Sequence, residues 1–201
     1  MNPSQSFRRA RTPAVVSVLV AFALPTRAEA QERRYTPADV QFMQGMIGHH
    51  AQAVAMAALV GGRTTNQSIQ LLAQRIDISQ RDEIRLMQSW LKDRGQTVPD
   101  PSVPMHHGAG GQEMLMPGML TAEQMAQLTA AKDTTFDRLF LQFMIQHHQG
   151  ALTMVKTLFG SPGAAQEMAT FRYVSDVDTD QRIEIERMRK LLAAMPGAPE
   201  S

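Results

Sequence analysis

All six histidines of the 201-residue chain fall in three doublets: His49-His50, His106-His107 and His147-His148. Each doublet has a methionine just upstream, Met46, Met105 and Met144. Imidazole and thioether are both metal donors. Thioether sulfur is soft, neutral and needs no deprotonation, so it suits Cu(I), and Ag(I) by analogy, far better than Mg, Ca or Zn. Neutral imidazole suits copper in either oxidation state. The chain has no cysteine, which excludes disulfides and thiolate metal sites alike. A Met/His donor set is also resistant to an oxidising compartment, where thiols tend toward disulfides. Sites of this kind exchange their metal, which fits binding, buffering or transfer better than permanent structural metal.

The doublets at His49 and His147 sit in near copies of one segment, FMQGMIGHH from Phe42 and FLQFMIQHH from Phe140. A shift of 98 superposes Asp39 on Asp137, Met46 on Met144, both His pairs and Met56 on Met154. A shift of 101 superposes QRDEIRLMQSWL from Gln80 on QRIEIERMRKLL from Gln181, pairing Glu83 with Glu184 and Met87 with Met188. The repeat makes each half a helical hairpin with its His pair on the first helix. One amphipathic hairpin cannot bury its apolar face alone, whereas two related hairpins can. The expected fold is therefore all-α: an antiparallel four-helix bundle with a Met/His-rich crossover loop.

Local signals set the helices. Thr36-Pro37-Ala38-Asp39 caps and opens the first, which Gly61-Gly62 stops after about Val60. The second spans about Asn66 to Arg94 and ends before Gly95. Thr121-Ala-Glu-Gln opens a short helix with a capping-box pattern. The third long helix covers about Thr134 to Phe159, and the fourth about Ala164 to Ala194. One domain over 31–201 follows: hairpin 36–95, loop and short helix 96–132, hairpin 133–195.

Residues 1–30 have the layout of a secretory signal. Arg8, Arg9 and Arg11 precede an apolar stretch from Pro13 to Leu24 and the small-residue pattern Ala28-Glu29-Ala30. Cleavage after Ala30 leaves a periplasmic or secreted protein. The apolar stretch is short for a bilayer span, so no membrane insertion is expected after cleavage. The Arg8-Arg9 pair stands in a poor twin-arginine context, so general secretory export is expected. The mature chain holds 16 basic and 18 acidic residues, which is no electrostatic footprint for nucleic acid.

On the first helix Phe42, Met43, Met46, Ala53 and Ala57 share the apolar side. Neighbouring residues diverge by about 100°, so His49 and His50 cannot both face the bundle axis. The wheel puts His50 more inward in one pair and His147 in the other, and the repeat leaves that choice open. Met46 and Met144 lie one turn from their imidazoles and are the strongest thioether candidates. Met43 lies two turns before His50. Met56, Met87, Met154 and Met188 combine candidate ligation with core packing, the common role of methionine. The loop adds Met105, His106, His107, Met114, Met116 and Met119 within fifteen residues. Glu83 and Glu184 read first as solvated or cap-like positions, with an oxygen-ligand role as the lesser alternative, and the carboxylates near the His pairs are Asp39 and Asp137, about three turns away.

Two other classes compete. A ferritin-like di-iron oxidase needs Glu from four helices and two Glu-x-x-His motifs, and no Glu precedes a His by three here. A metal-free helical interaction module accounts for the bundle but not for the Met/His clustering. No grouping of nucleophile and base suggests catalytic turnover, so no enzyme activity is expected.

FMQGMIGHHAQAVAMA and FDRLFLQFMIQHHQGALTMV, each followed by a Q-x-x-E-I-x-x-M helix, resemble the CopM-like family, catalogued as domain of unknown function 305. The PGMLTAEQMAQL stretch from Pro117 is similar to that family too. The resemblance spans about Thr36 to Ala194. It implies a ferritin-like four-helix bundle, export, and copper binding in copper tolerance. Position by position it implies Met46, His49, His50, Met56 and Met87 in the first half, and Met144, His147, His148, Met154 and Met188 in the second. Leu141 stands where the first half has Met43, so a Met43 site would lack its twin. Metal ions are the expected partners, with a copper-transfer protein and a second copy of the chain as the protein partners such a role allows.

Overall fold

Three helices of this chain start at side-chain caps. The structure, a computed structural model, describes residues 35–102 and 115–196. The proposed signal over 1–30 and the loop residues Met105, His106, His107 and Met114 lie outside them. The described residues form five helices and no strand: α1 Pro37–Ala58, α2 Gln67–Asp93, α3 Ala122–Ala130, α4 Asp133–Phe159 and α5 Met168–Ala193. The all-α expectation holds.

Thr36 and Asp39 close a capping box on α1. The Thr36 hydroxyl accepts from the Asp39 amide, and Asp39 Oδ2 accepts from the Thr36 amide at 2.6 Å. Asn66 caps α2 by accepting from Ser68 N–H at 3.1 Å. Thr121 and Gln124 close a second capping box on α3. These are local bonds, which is why the sequence predicts the helix starts closely.

α5 departs from expectation: it starts at Met168, four residues after the predicted Ala164. Gly163 and Ala165 both take left-handed backbone, φ 74° and 55°. For alanine that conformation costs energy. A tertiary bond holds it, because Ala165 N–H donates to the buried Asp39 Oδ1 at 2.7 Å. Asp39 thus caps α1 and also fixes the turn before α5. Its repeat partner Asp137 does not cap α4, but it ties the start of α2 to α4 by accepting from Asn66 Nδ2 at 2.9 Å.

The helices pack as two hairpins, α1 on α2 and α4 on α5, which meet through α1 and α4. Two apolar clusters fill the interior. One contains Met43, Met46, Met87, Trp90 and Val174; the other contains Met56, Met144, Met188, Phe136 and Phe140. No described helix is long and apolar enough to cross a membrane.

Candidate metal centre

Between the two apolar clusters lie the four helical histidines. His49, His50 and His148 are 0% exposed and His147 1%. Both members of each doublet are therefore equally interior, and the helical-wheel choice between them dissolves. Divergence along the helix sends them to two different interfaces. His49 and His147 meet across the α1–α4 contact, with ring centroids 3.8 Å apart. His50 and His148 turn back into their own hairpins.

There each finds a carboxylate. His50 Nε2 lies 2.5 Å from Glu83 Oε2, and His148 Nε2 lies 2.6 Å from Glu184 Oε2. Glu83 and Glu184 are 9% and 8% exposed. This corrects the sequence reading that placed both at solvated or cap-like positions. The carboxylates nearest the imidazoles are these two, and Asp39 and Asp137 serve instead as the turn anchors described above. The signal was present in the repeat, which puts Glu83 and Glu184 at equivalent positions on the second helices. A buried charge survives only with a partner, and the partners lie 33 and 36 residues away.

The inner pair binds backbone. His147 Nε2 donates to the His49 carbonyl at 3.0 Å, and His49 Nε2 donates to the Pro117 carbonyl at 3.0 Å. The second bond comes from a strap, residues 115–121, laid over α1 and α4. Gln52 holds the strap at both the amide and the carbonyl of Leu120, at 2.7 and 3.0 Å. Gly118 and Gly150 allow the strap to touch α4, since a Cβ on Gly150 would stand 1.9 Å from the Pro117 carbonyl oxygen. The PGMLTAEQMAQL stretch thus seals one side of the histidine cluster.

All four Nδ1 atoms are buried and have no hydrogen-bond partner among the described residues. The Tyr173 hydroxyl is in the same condition, and burial beside Glu83 raises its pKa well above that of free tyrosine. Burial, reinforced by the neighbouring imidazole of His50, lowers the His49 pKa to about 3 despite the Pro117 bond. Burial and then the His49 imidazole lower that of His147 as well. Both rings are neutral at neutral pH and hold lone pairs available to a metal.

The thioethers surround this cluster in a crossed pattern. Met46 and Met87 of the first hairpin share an apolar cluster with Met43, and Met154 of α4 packs against it. Met144 and Met188 of the second hairpin share the other cluster with Met56 of α1. The first set takes three methionines from its own hairpin and one from the other, and the second takes two and one. Met154 is half-buried, and the other six are 0–1% exposed. Of the loop candidates, Met116 and Met119 are described and half-buried. A Cβ placed on Gly45 would lie 3.2 Å from Met116 Sδ and 3.5 Å from Met154 Cε, so strap and α4 bring these two methionines to one spot on α1.

Two hollows flank the centre. A cavity of about 260 Å³ is lined by Phe42, Pro117, Met154 and Leu158. A cleft of about 350 Å³ between α2 and α5 is lined by Glu83 and Glu184 together with Asp82, Asp180 and Arg75. Partial burial, and then repulsion from Glu83 and Glu184, raises the pKa of Asp180. Among the described residues no three His, Asp or Glu side chains gather round one point.

Comparison with known proteins agrees with this architecture. A crystal structure of a DUF305 fragment from Deinococcus radiodurans is similar at 32% identity and TM-score 0.67, over 80% of this chain and 99% of that one. CopM in its Cu(II)-bound form is similar at 27% identity and TM-score 0.61, over 77% of this chain and 95% of CopM. CopM in Cu(I)-bound and Ag-bound forms aligns at 24% identity, where the likeness shows the fold alone. An uncharacterized protein of Acanthamoeba polyphaga mimivirus is 34% identical over 79 residues, 39% of this chain. The chain spans about half the length of that curated relative, 47%. Residues 39–192, which hold both hairpins, the strap and all four buried histidines, match the family described as "Domain of unknown function (DUF305)", and the chain belongs to that family.

Proposed function

We propose that this is an exported copper-binding protein, which holds Cu(I), and Cu(II) as a second state, through Met and His and sequesters or passes it on without catalytic turnover. The observation that carries the reading is the set of four buried imidazoles with unpartnered Nδ1 atoms, flanked on both sides by buried thioethers. Buried polar atoms are normally satisfied, so four at repeat-related positions ask for a ligand. Among the described residues no three imidazole or carboxylate groups gather at one point, so thioether is the donor at hand to complete a shell, and that mixture favours a soft monovalent ion. The likeness to CopM, solved with Cu(II), supports the same reading. The signal-like N-terminus supports export, and the resemblance to the CopM-like family supports a role in copper tolerance.

Competition for Cu(I) against a chromogenic chelator tests it. Mature protein should take up Cu(I) at the helical sites, and the quadruple variant of His49, His50, His147 and His148 to Ala should lose that share. Equal uptake by both proteins would sink the helical centre. Replacing residues 104–114 by a Gly/Ser linker separates loop stoichiometry from helical stoichiometry.

A second reading gains from the Glu83–His50 and Glu184–His148 pairs, because two imidazole-bonded carboxylates lining one cleft also suit a ferritin-like di-metal oxidase. It predicts iron in the purified protein and oxygen consumption on Fe(II) addition. The copper reading predicts neither.

A further inference from the structure

Each imidazole has two nitrogens, and the surroundings treat them differently in all four rings. The Nε2 atoms of His49 and His147 face the carbonyls of Pro117 and His49. Those of His50 and His148 face Glu83 and Glu184. A carbonyl oxygen only accepts, and an ionised carboxylate only accepts, so each Nε2 must bear the hydrogen. A second N–H, on Nδ1, would be buried with no acceptor among the described residues, so each ring carries one N–H. Each Nδ1 is then a bare lone pair, and each is buried without a donor among the described residues. The same division appears in both hairpins, although the two inner rings use different carbonyls to achieve it.

We infer that the four rings are locked as Nε2–H tautomers and present Nδ1 to the metal, with Glu83 and Glu184 as the positioning residues that lock His50 and His148. Imidazoles that ligate metals commonly give their other N–H to a carboxylate or a backbone carbonyl, which fixes ring orientation and raises donor basicity. Here both kinds of acceptor are in place. The outer rings take carboxylate from their own second helix, and the inner rings take backbone from α1 and the strap. Each glutamate contacts its histidine at Nε2, the nitrogen other than the one presented to the metal, and so acts through that histidine. This inference rests on the copper reading for the identity of the metal, but its tautomer half concerns the metal-free protein alone.

Two-bond 1H–15N correlation spectra of His-labelled protein, in a His106→Gln/His107→Gln background, report the tautomer of each remaining ring. At neutral pH all four should be Nε2–H with an unprotonated Nδ1. Ag(I), a diamagnetic stand-in for Cu(I), should move the Nδ1 signals and leave Nε2 protonated. Glu83→Ala should turn His50 into a tautomer mixture and lower Cu(I) affinity by about 10- to 100-fold. Glu83→Gln, whose side-chain carbonyl still accepts, should restore the single tautomer and most of the affinity. If Glu83→Ala does not fold, Glu83→Gln and the wild-type tautomers still decide the matter. A protonated Nδ1 in the metal-free protein, or metal binding at Nε2, overturns the inference. Unmoved Nδ1 signals overturn it too: Ag(I) retained through desalting then leaves the copper reading standing, and Ag(I) lost through desalting removes both.

Discussion

His49 and His147 lie ring against ring, centroids 3.8 Å apart and planes 39° apart, and His147 donates its Nε2–H to the backbone carbonyl of His49. Two cationic imidazoles could not share that space. Burial first, and then neighbouring imidazoles (His50 for His49, His49 for His147), hold both pKa values below the ordinary histidine value, that of His49 at about 3.

A pH dependence of the metal-free fold follows. The folded pKa lies below the unfolded value of about 6.5, so between the two the unfolded chain binds more protons. Stability is complete above about pH 6.5 and is lost as the pH falls toward the folded value. Each of the two rings should add a slope of about 1.4 kcal/mol per pH unit in that window. Urea denaturation at pH 7.5, 6 and 5 measures it. A stability unchanged from pH 7.5 to pH 5 would remove the case for two neutral, buried rings.

Gly150 is where the strap meets α4. Gly150→Ala puts a methyl into the Pro117 carbonyl, 1.9 Å from its oxygen. The strap must lift, and the His49 bond goes with it. The expected cost is about 1–3 kcal/mol, typical of overpacking, with faster proteolysis near Pro117. Gly45→Ala is the milder control, since a Cβ there meets only the flexible ends of Met116 and Met154.

The methionines can be tested for ligation apart from packing. Met46→Leu and Met144→Leu keep volume and should cost less than about 1.5 kcal/mol, yet each should weaken Cu(I) binding. Met46→Ala would cost about 2–5 kcal/mol through the cavity alone, so the leucine variants are the informative ones. The crossed sets predict that Met154→Leu perturbs the site of Met46 and Met87, and Met56→Leu that of Met144 and Met188. Retained affinity in all four leucine variants would assign these side chains to packing only.

Asp39 and Glu83 are both buried acids on the long helices, but only Glu83 touches a histidine. Asp39→Ala removes a helix cap and the acceptor of Ala165 N–H, at about 1–3 kcal/mol by thermal or urea unfolding. Copper affinity per folded molecule should not change. A loss of affinity equal to that of the Glu83→Ala variant would mean that stability, not position, explains both.

What the sequence makes legible is what local chemistry decides. Thr36 and Thr121 cap the helices the sequence assigns them, and Asn66 caps the helix read as starting near it, because their acceptor atoms and the amides they bind are two or three residues apart. The repeat gives the hairpins and the paired His positions. Ala164 fails as the start of α5 because its successor's backbone answers to Asp39, 126 residues away. Glu83 and Glu184 fail as surface residues for the same reason. Whether a carboxylate faces water or imidazole depends on a helix that no local pattern describes. The wheel likewise asks which of two adjacent histidines points inward, and it cannot foresee two interiors, one within each hairpin and one between them.

Each His–Glu bond stays inside its own hairpin, and among the groups of the centre itself the His49–His147 contact and the exchanged methionines cross between the hairpins. One hairpin therefore holds half of everything the centre needs and lacks only a copy of itself. Two identical chains of about 60 residues, joined about a two-fold axis through that contact, would rebuild the same arrangement. In those terms the present chain is a homodimer written into one polypeptide. The link between its halves has become the strap, and the Pro117 carbonyl it lends to His49 alone is where the inherited symmetry ends.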